Sequence, residues 1–322
     1  MLGVRVPPAP MENIQEFVDR QVATIKEQVG NNIAINALSG GVDSSVVTVI
    51  GQKALGDHLR TFFIDNGLMR QKEPESIVSM FDSLGLPVIL VNEARRFFET
   101  LKGITNPEGK REAITQIFYR DVFARLIKET GAKYLFQGTI LTDIEETKAG
   151  IKRQHNVFKQ IGIDPEQEFG YQIIEPLIEL RKDDVRELAR HLQLPKKIYN
   201  RQPFPGPALA TRVVGEVTPE KIRLIRQVTF ILESEFEDIN AFQYLAILHK
   251  DRVTGMRNNK RQLGQQIEIR CWDSVDARTA TPTDIPTARL MKLSRLITTL
   301  CSEIVSVTYN ITDKPPSTIE TI

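Results

Sequence analysis

The stretch Ser39-Gly40-Gly41-Val42-Asp43-Ser44-Ser45 combines the residue types that bind a phosphate group. Two consecutive glycines let backbone N–H groups approach an anion without a Cβ in the way, and the serines add hydroxyl donors. Asp43 needs another explanation, because a carboxylate beside phosphate is useful mainly as a Mg²⁺ ligand. The stretch therefore predicts a nucleotide phosphate site with a metal ion. The alternative is an ordinary Gly-Gly turn in which Asp43 and Ser44 only cap a helix.

The residues on either side place this stretch between a strand and a helix. Residues 33–38 form a short, β-branched run typical of a buried strand, and an apolar helical segment covers residues 46–55. A strand that turns into a helix directs free N–H groups and the positive end of the helix dipole at one point, where phosphate binds. The two more familiar phosphate loops, Gly-x-x-x-x-Gly-Lys-Ser/Thr and Gly-x-Gly-x-x-Gly, do not fit this stretch.

Strands and helices alternate over the first part of the chain. Further strands are predicted at residues 59–64, 87–91 and 134–136, with helical segments between them. This alternation predicts an α/β fold with a doubly wound parallel sheet. Ligands in such sheets bind at the carboxyl ends of the strands. Three polar clusters stand at these ends, and they are Ser39 to Asp43, Asp65-Asn66-Gly67 and Gln137-Gly138-Thr139.

The pattern divides the chain into four parts. Residues 1–10 are predicted to be a disordered leader, and residues 11–201 the nucleotide-binding domain. Residues 202–212 contain Pro203-Phe204-Pro205-Gly206-Pro207 and are predicted to be a stiff linker. Residues 213–322 are predicted to form a smaller α+β domain, whose polar, proline-rich end is expected to be a frayed tail.

Composition limits the partners and the compartment. The 322 residues include 42 basic and 41 acidic ones, so the chain lacks the excess of one charge that would indicate binding to nucleic acid or a membrane surface. Apolar runs are far shorter than the ~20 residues of a spanning helix. Only Cys271 and Cys301 occur, without metal-ligand spacing, which excludes a disulfide scaffold and favours the cytoplasm.

Several motifs together resemble one enzyme family. The stretch Ser39 to Ser44 is similar to the pyrophosphate loop of ATP pyrophosphatases in general. Pro203-Phe204-Pro205-Gly206-Pro207 and Lys314-Pro315-Pro316-Ser317-Thr318-Ile319-Glu320 are peculiar to GMP synthases. From about Glu12 to its end, the chain therefore resembles the ATP-pyrophosphatase subunit of GMP synthases, with the dimerisation domain of that family.

The resemblance implies a reaction and its partners. XMP and MgATP would bind, the C2 oxygen of the xanthine base would be adenylated, and ammonia would displace AMP to give GMP. No glutaminase domain is seen in this sequence, so a separate glutaminase subunit, or the solution, would supply the ammonia. The second domain would form a homodimer, and its C-terminal tail would complete the XMP pocket.

The resemblance also assigns residues to roles. The phosphate stretch would hold ATP, together with Asp65, Gln137, Gly138 and Thr139, and Asp43 would bind Mg²⁺. The catalytic residues would be Asp43, Ser44, Asp143, Glu146 and Lys152. Residues on the XMP side would be His155, Asn156, Arg201, Arg212, Lys314, Thr318, Ile319 and Glu320.

The chain departs from the family pattern on the acceptor side, whereas its ATP loop is intact. The altered positions are Thr142, Gln154, Phe158, Lys159, Ala208, Thr321 and Ile322. Two alternatives therefore stand beside amination of XMP. The chain could adenylate a different acceptor, or it could be a non-catalytic ATP-binding paralogue that regulates a partner. Asp43 counts against the second alternative, because a merely structural loop needs no Mg²⁺ ligand.

Overall fold

The computed structural model describes residues 13–148, 166–167, 170–275 and 278–319, with side chains described as far as residue 145 in the first range. The backbone forms two compact units, and the chain passes from one to the other five times. Within the described ranges, unit 1 consists of the chain up to Ile64, Pro74–Val91 and Phe118–Arg201. Unit 2 consists of Asp65–Glu73, Asn92–Ile117 and Gln202–Ile322. The domain boundaries expected from the sequence stay a prediction.

Unit 1 is built on a five-stranded sheet with the order β3-β2-β1-β4-β5. The strands are β1 Ala34–Ala37, β2 Leu59–Asp65, β3 Val88–Asn92, β4 Tyr134–Phe136 and β5 Gln172–Ile174. β1 runs parallel to both β2 and β4, and β4 runs parallel to β5. The predicted α/β fold with a parallel sheet is confirmed. The three-residue strand β5 was not predicted.

Helices flank this sheet. They are α1 Ile14–Val29, α2 Val42–Leu55, α3 Glu73–Ser83, α6 Ala124–Thr130, α7 Leu141–Lys148, α8 Lys182–His191 and α9 Lys196–Tyr199. A π-helix, Ile117–Phe123, precedes α6. α1 buries one apolar face that includes Phe17 and Ile25. α2 is apolar almost all round and packs against both α1 and α8. No helix in the described ranges is long and apolar enough to cross a membrane.

Unit 2 combines a four-stranded sheet with helices. The helices are α4 Ala94–Leu101, α5 Pro107–Gln116, α10 Pro219–Glu235 and α11 Thr287–Leu300. The strands are β6 Gln243–Arg257, β7 Lys260–Asp273, β8 Thr281–Pro282 and β9 Ile304–Tyr309. β7 is antiparallel to β6 and β8 and parallel to β9. Asn258 and Asn259 close the β6–β7 hairpin with positive φ angles of 50° and 60°, the conformation that Asn tolerates best after glycine.

The prediction of a frayed C-terminal tail is wrong for residues 314–319. The side chain of Ile319 is 7% exposed and lies in a core cluster with Leu245, Ile247 and Trp272. Burial of an apolar side chain favours the folded position, so this segment is part of the packed structure of unit 2.

Candidate functional site

The predicted phosphate stretch joins β1 to α2. Gly40 adopts a φ of +77°, a conformation open to glycine, and Gly41 is the extended residue before the first helical residue, Val42. Gly41 contributes no side-chain cap, so the N–H groups of the first turn of α2 are available to an anion. The loop therefore has the backbone shape of a phosphate site.

The serines of the loop hold one another in place. The hydroxyl oxygens of Ser39 and Ser44 are 2.9 Å apart, and the Ser44 hydroxyl also donates to the carbonyl of Gly41 at 3.1 Å. The Ser45 hydroxyl donates to the same carbonyl at 2.7 Å. Thr48 donates to the carbonyl of Ser44 at 2.7 Å. These hydrogen bonds preorganise the loop.

Asp43 presents its two carboxylate oxygens in different environments. Oδ2 accepts a hydrogen bond from Nζ of Lys182 at 2.7 Å. Oδ1 is buried and has no hydrogen-bond partner among the described residues. A buried polar atom without a partner is costly unless a ligand satisfies it. Mg²⁺ is commonly held by one or two carboxylates together with phosphate oxygens, so Asp43 fits the metal of a bound nucleotide.

Lys182 was missed in the sequence. It is the first residue of α8 and lies 139 positions from Asp43 along the chain. No periodicity or local spacing could have paired two residues this far apart. The ammonium group lies beside the phosphate loop and adds a positive charge to it.

The end of β4 lies against the first turn of α2. A Cβ added to Gly138 would come within 3.1 Å of the carbonyl carbon of Asp43 and of the backbone nitrogen of Ser44. Glycine therefore favours the close approach of the two segments, because a larger residue would push them apart by a few tenths of an ångström. The neighbouring Gln137 is 7% exposed, and neither atom of its side-chain amide has a hydrogen-bond partner among the described residues. Gln137 can therefore serve a ligand as donor and acceptor.

Arg201 also lies at the loop in unit 1. Its Nη1 donates to the carbonyl of Gly40 at 3.0 Å. The resemblance assigned Arg201 to the XMP side, whereas its described contact is with the backbone of the phosphate loop.

Residues 141–170, where the long break in the strand–helix pattern predicts a lid, are described only in part. Asp143 lies in the first turn of α7, where its Oδ2 accepts a hydrogen bond from the backbone N–H of Ile140 at 3.1 Å. Glu146 lies in the same helix, and its side chain is outside the described part. Other predicted residues fall wholly outside the described ranges, namely Lys152, His155, Asn156 and Glu320.

Further predicted residues lie in unit 2, which begins at Asp65, the last residue of strand β2. Asp65 ends β2, and its Oδ1 accepts a hydrogen bond from the N–H of Gly67 at 2.8 Å. Arg212 is 3% exposed, and its guanidinium carbon is 5.9 Å from the ring centroid of Phe204. Lys314 pairs through its backbone with Ala280. Thr318 and Ile319 follow in the same C-terminal segment.

Ala208 stands where the GMP synthase pattern has glycine, and it adopts a φ of +52°. It is 1% exposed. The backbone thus keeps a conformation suited to glycine, although the left-handed region costs an L-residue about 1–2 kcal/mol.

The parallel sheet, the β1–α2 loop and its unpartnered carboxylate oxygen define the class of PP-loop ATP pyrophosphatases. Comparison with known proteins narrows this class. Residues 232–321 match the family described as GMP synthase C terminal domain. The chain is 46% identical to a glutamine-hydrolyzing GMP synthase subunit of Archaeoglobus fulgidus over 308 residues, which cover 96% of this chain and 99% of that protein.

Two further relatives carry the same name. The Pyrococcus abyssi protein is 45% identical over 311 residues, covering 96% of this chain and 99% of the relative. The Methanocaldococcus jannaschii protein is 43% identical over 311 residues, covering 95% of this chain and 98% of the relative. The chain belongs to this family of GMP synthase subunits.

Proposed function

We propose that this chain catalyses the ATP-dependent amination of XMP to GMP. ATP adenylates the C2 oxygen of XMP and releases pyrophosphate, and ammonia then displaces AMP from the adenyl-XMP intermediate. A separate glutaminase subunit supplies the ammonia. The observation that carries this proposal is the identity of 46% to a glutamine-hydrolyzing GMP synthase subunit over 96% of the chain.

The loop geometry supports a role in cleaving ATP. The N–H groups at the start of α2 can stabilise negative charge on the departing pyrophosphate, because preorganised donors need no rearrangement as charge develops. Lys182 adds a cation within 2.7 Å of Asp43. Asp43 would hold Mg²⁺, and the bound ion would neutralise part of the phosphate charge. Gln137 would contribute its unpartnered amide to the same ligand.

The residues of the acceptor side are assigned as the family resemblance implies. We assign Asp143, Glu146 and Lys152 to the adenylation step, and Arg212 and Lys314 to the phosphate of XMP. Arginine and lysine suit this task, because charge-assisted hydrogen bonds to phosphate are about twice as strong as neutral ones. Arg201, through its contact with Gly40, is better placed for the ATP side than for XMP.

Assembly and compartment complete the proposal. Residues after Val213 would form the homodimer, as the dimerisation domain of the family implies. The cytoplasm is the proposed compartment, because Cys271 and Cys301 are both free and buried, as in proteins of reducing surroundings.

The test is to incubate the purified chain with XMP, ATP, Mg²⁺ and ammonium and to quantify AMP and GMP. We expect equal amounts of both products, and we expect Asp43→Asn to abolish both. Asp57→Asn, which changes an exposed carboxylate just after α2, is the matched control and should be as active as the unmodified chain. Formation of AMP and pyrophosphate by Asp43→Asn at the unmodified rate would contradict the assignment.

The same assay separates the alternatives. AMP formation that does not depend on XMP, or no binding of XMP at millimolar concentration alongside normal MgATP binding, would favour a different acceptor. Binding of MgATP without any AMP formation would favour a regulatory paralogue.

A further inference from the structure

We propose that Arg270 is a positioning residue for the amination of XMP. It fixes the segment of residues 314–319, called here the C-terminal strap, and thereby holds Lys314 for the phosphate of XMP. The inference rests on the proposed function, since the strap matters for the reaction only if XMP binds there. What is new is the part given to Arg270 and to the side chains that hold it.

The strap is attached to unit 2 at both ends. At its start, the backbones of Lys314 and Ala280 exchange two hydrogen bonds, of 2.8 and 3.1 Å. At its end, the buried side chain of Ile319 packs in the core cluster. Arg270 acts on this second end, where its Nη1 donates to the carbonyl oxygens of Thr318 at 2.5 Å and of Ile319 at 3.3 Å.

Arg270 is itself held firmly. It lies on β7, is 7% exposed, and its Nε donates to Oε1 of Glu268 at 2.6 Å. Asn310 donates to the same oxygen at 2.9 Å. Nε2 of His249 lies 2.9 Å from the other oxygen, Oε2. The guanidinium is thus fixed by a carboxylate that two further side chains orient.

The charge state of Glu268 suits this arrangement. Burial raises the pKa of its carboxyl group, but the hydrogen bonds from Arg270, Asn310 and His249 and the charge of Arg270 outweigh burial and lower it. Glu268 is therefore an anion at neutral pH, and the pair with Arg270 is intact where the enzyme works.

An arginine at position 270 is well suited to hold the main chain of the strap. A guanidinium has several N–H donors in a rigid plane, so one side chain can hold a carboxylate and backbone carbonyls at the same time. A buried ion pair does not by itself indicate a stabilising role, because apolar side chains can often replace such a pair without loss of stability. Arg270 has a directional contact that apolar packing of Ile319 cannot make. It sets where the backbone that follows Lys314 runs.

The experiment compares Arg270→Met and Arg270→Lys with the unmodified chain. Methionine keeps much of the side-chain length and removes every donor, whereas lysine keeps the charge and loses the planar fork. Arg252→Met is the matched control, because Arg252 is an exposed arginine of β6 that donates to the carbonyl of Leu263, away from the strap. Two quantities are measured, namely hydrogen exchange of the strap amides without substrate and the KM values for XMP and ATP.

We expect Arg270→Met to speed exchange in the strap while the other amides of β7 keep their protection. The KM for XMP should rise by roughly tenfold, the effect of about one charge-assisted hydrogen bond, and the KM for ATP should stay unchanged. Arg270→Lys should give an intermediate KM for XMP. Arg252→Met should change neither quantity.

Three results would overturn the proposal. One is unchanged exchange of the strap in Arg270→Met, and another is faster exchange with an unchanged KM for XMP. A third is an equal rise of both KM values in Arg270→Met and Arg270→Lys, which indicates general damage to the fold. If the unmodified chain forms no GMP, the proposed function fails first and the positioning role fails with it. The exchange data still show in that case whether Arg270 holds the strap.

Discussion

Lys110 is a fully buried cation, and its removal is expected to change how the stability of unit 2 depends on pH. The residue lies in α5, is 1% exposed, and donates from Nζ to the carbonyl of Val213 at 2.6 Å. Burial, together with the nearby charge of Lys221, lowers the pKa of Lys110 from 10.5 to about 8. At pH 7 the folded protein therefore still carries this charge in an unfavourable place.

The size of the effect follows from the pKa shift. A change from 10.5 to about 8 corresponds to at most about 3.5 kcal/mol of lost stability, at about 1.4 kcal/mol per pKa unit. Below pH 8 both the folded and the unfolded protein bind the proton, so the whole penalty is present. Between pH 8 and 10.5 the folded protein releases the proton first, so the contribution of Lys110 makes stability rise with pH.

Lys110→Met removes both the penalty and the hydrogen bond. The carbonyl of Val213 then lacks its ammonium donor, which costs about 1–3 kcal/mol. At pH 7 the two effects nearly cancel, and we expect the variant to lie within about 2 kcal/mol of the unmodified chain. From pH 8 to 10.5 the unmodified chain should gain up to about 3.5 kcal/mol relative to the variant.

The assay is urea unfolding from pH 7 to 10.5, followed by the fluorescence of Trp272, the one tryptophan of the chain, which lies in unit 2. Lys102→Met is the control, because Lys102 is an exposed lysine of the same unit. The other titrating groups are common to all three proteins and cancel in the differences. Stability curves of Lys110→Met and the unmodified chain that run parallel across this pH range would refute the reasoning.

Four further predictions concern the end of β4, the linker and the strap. Gly138→Ala should raise the KM for ATP at least about tenfold, since its Cβ would press on the backbone of Ser44, and an unchanged KM in steady-state kinetics would contradict the close approach. Ala208→Gly should stabilise unit 2 by about 1 kcal/mol, because it relieves the left-handed strain at a small entropic cost, and a lower melting temperature would disagree. Ile319→Ala should destabilise unit 2 by about 2–4 kcal/mol in urea unfolding, and a loss below about 0.5 kcal/mol would indicate that the segment is a frayed tail. Acid should release the strap, because the lowered pKa of Glu268 means that its stabilising charge is present above the ordinary carboxyl pKa and is lost as pH falls through the lowered value. Strap exchange that stays equally slow, after correction for the intrinsic rate, as the pH is lowered from 7 until the rest of unit 2 begins to unfold would argue against that ion pair.

The sequence predicted those strands that are short, continuous apolar runs. β1 and β4 are of this kind, and both are buried. β5 was missed, because it has only three residues and the first of them, Gln172, is exposed. The apolar runs at residues 242–248 and 266–272 predict only the inner parts of β6 and β7. Their outer halves form a polar, charged hairpin around Asn258 and Asn259, in which pairing between strands replaces apolar patterning.

The candidate site was predictable where the chemistry is local and missed where it is not. The loop around Asp43 is recognisable because glycine, serine and a carboxylate occur together within seven residues. Lys182 is brought to it only by the packing of α8 on α2. The strap was misjudged for the same reason, since its polar composition suggests disorder, and the arginine that holds it lies 48 residues earlier on β7.

The five passages of the chain between the two units affect how the protein is made. Segments Asp65–Glu73 and Asn92–Ile117 leave the ribosome before residue 202, where the main part of unit 2 begins. At ordinary rates of translation, these segments wait on the order of ten seconds or more for the residues that cover them. A gene fragment that encodes only Gln202–Ile322 lacks α4 and α5, so a single recombination at residue 202 would transfer unit 2 without these two helices.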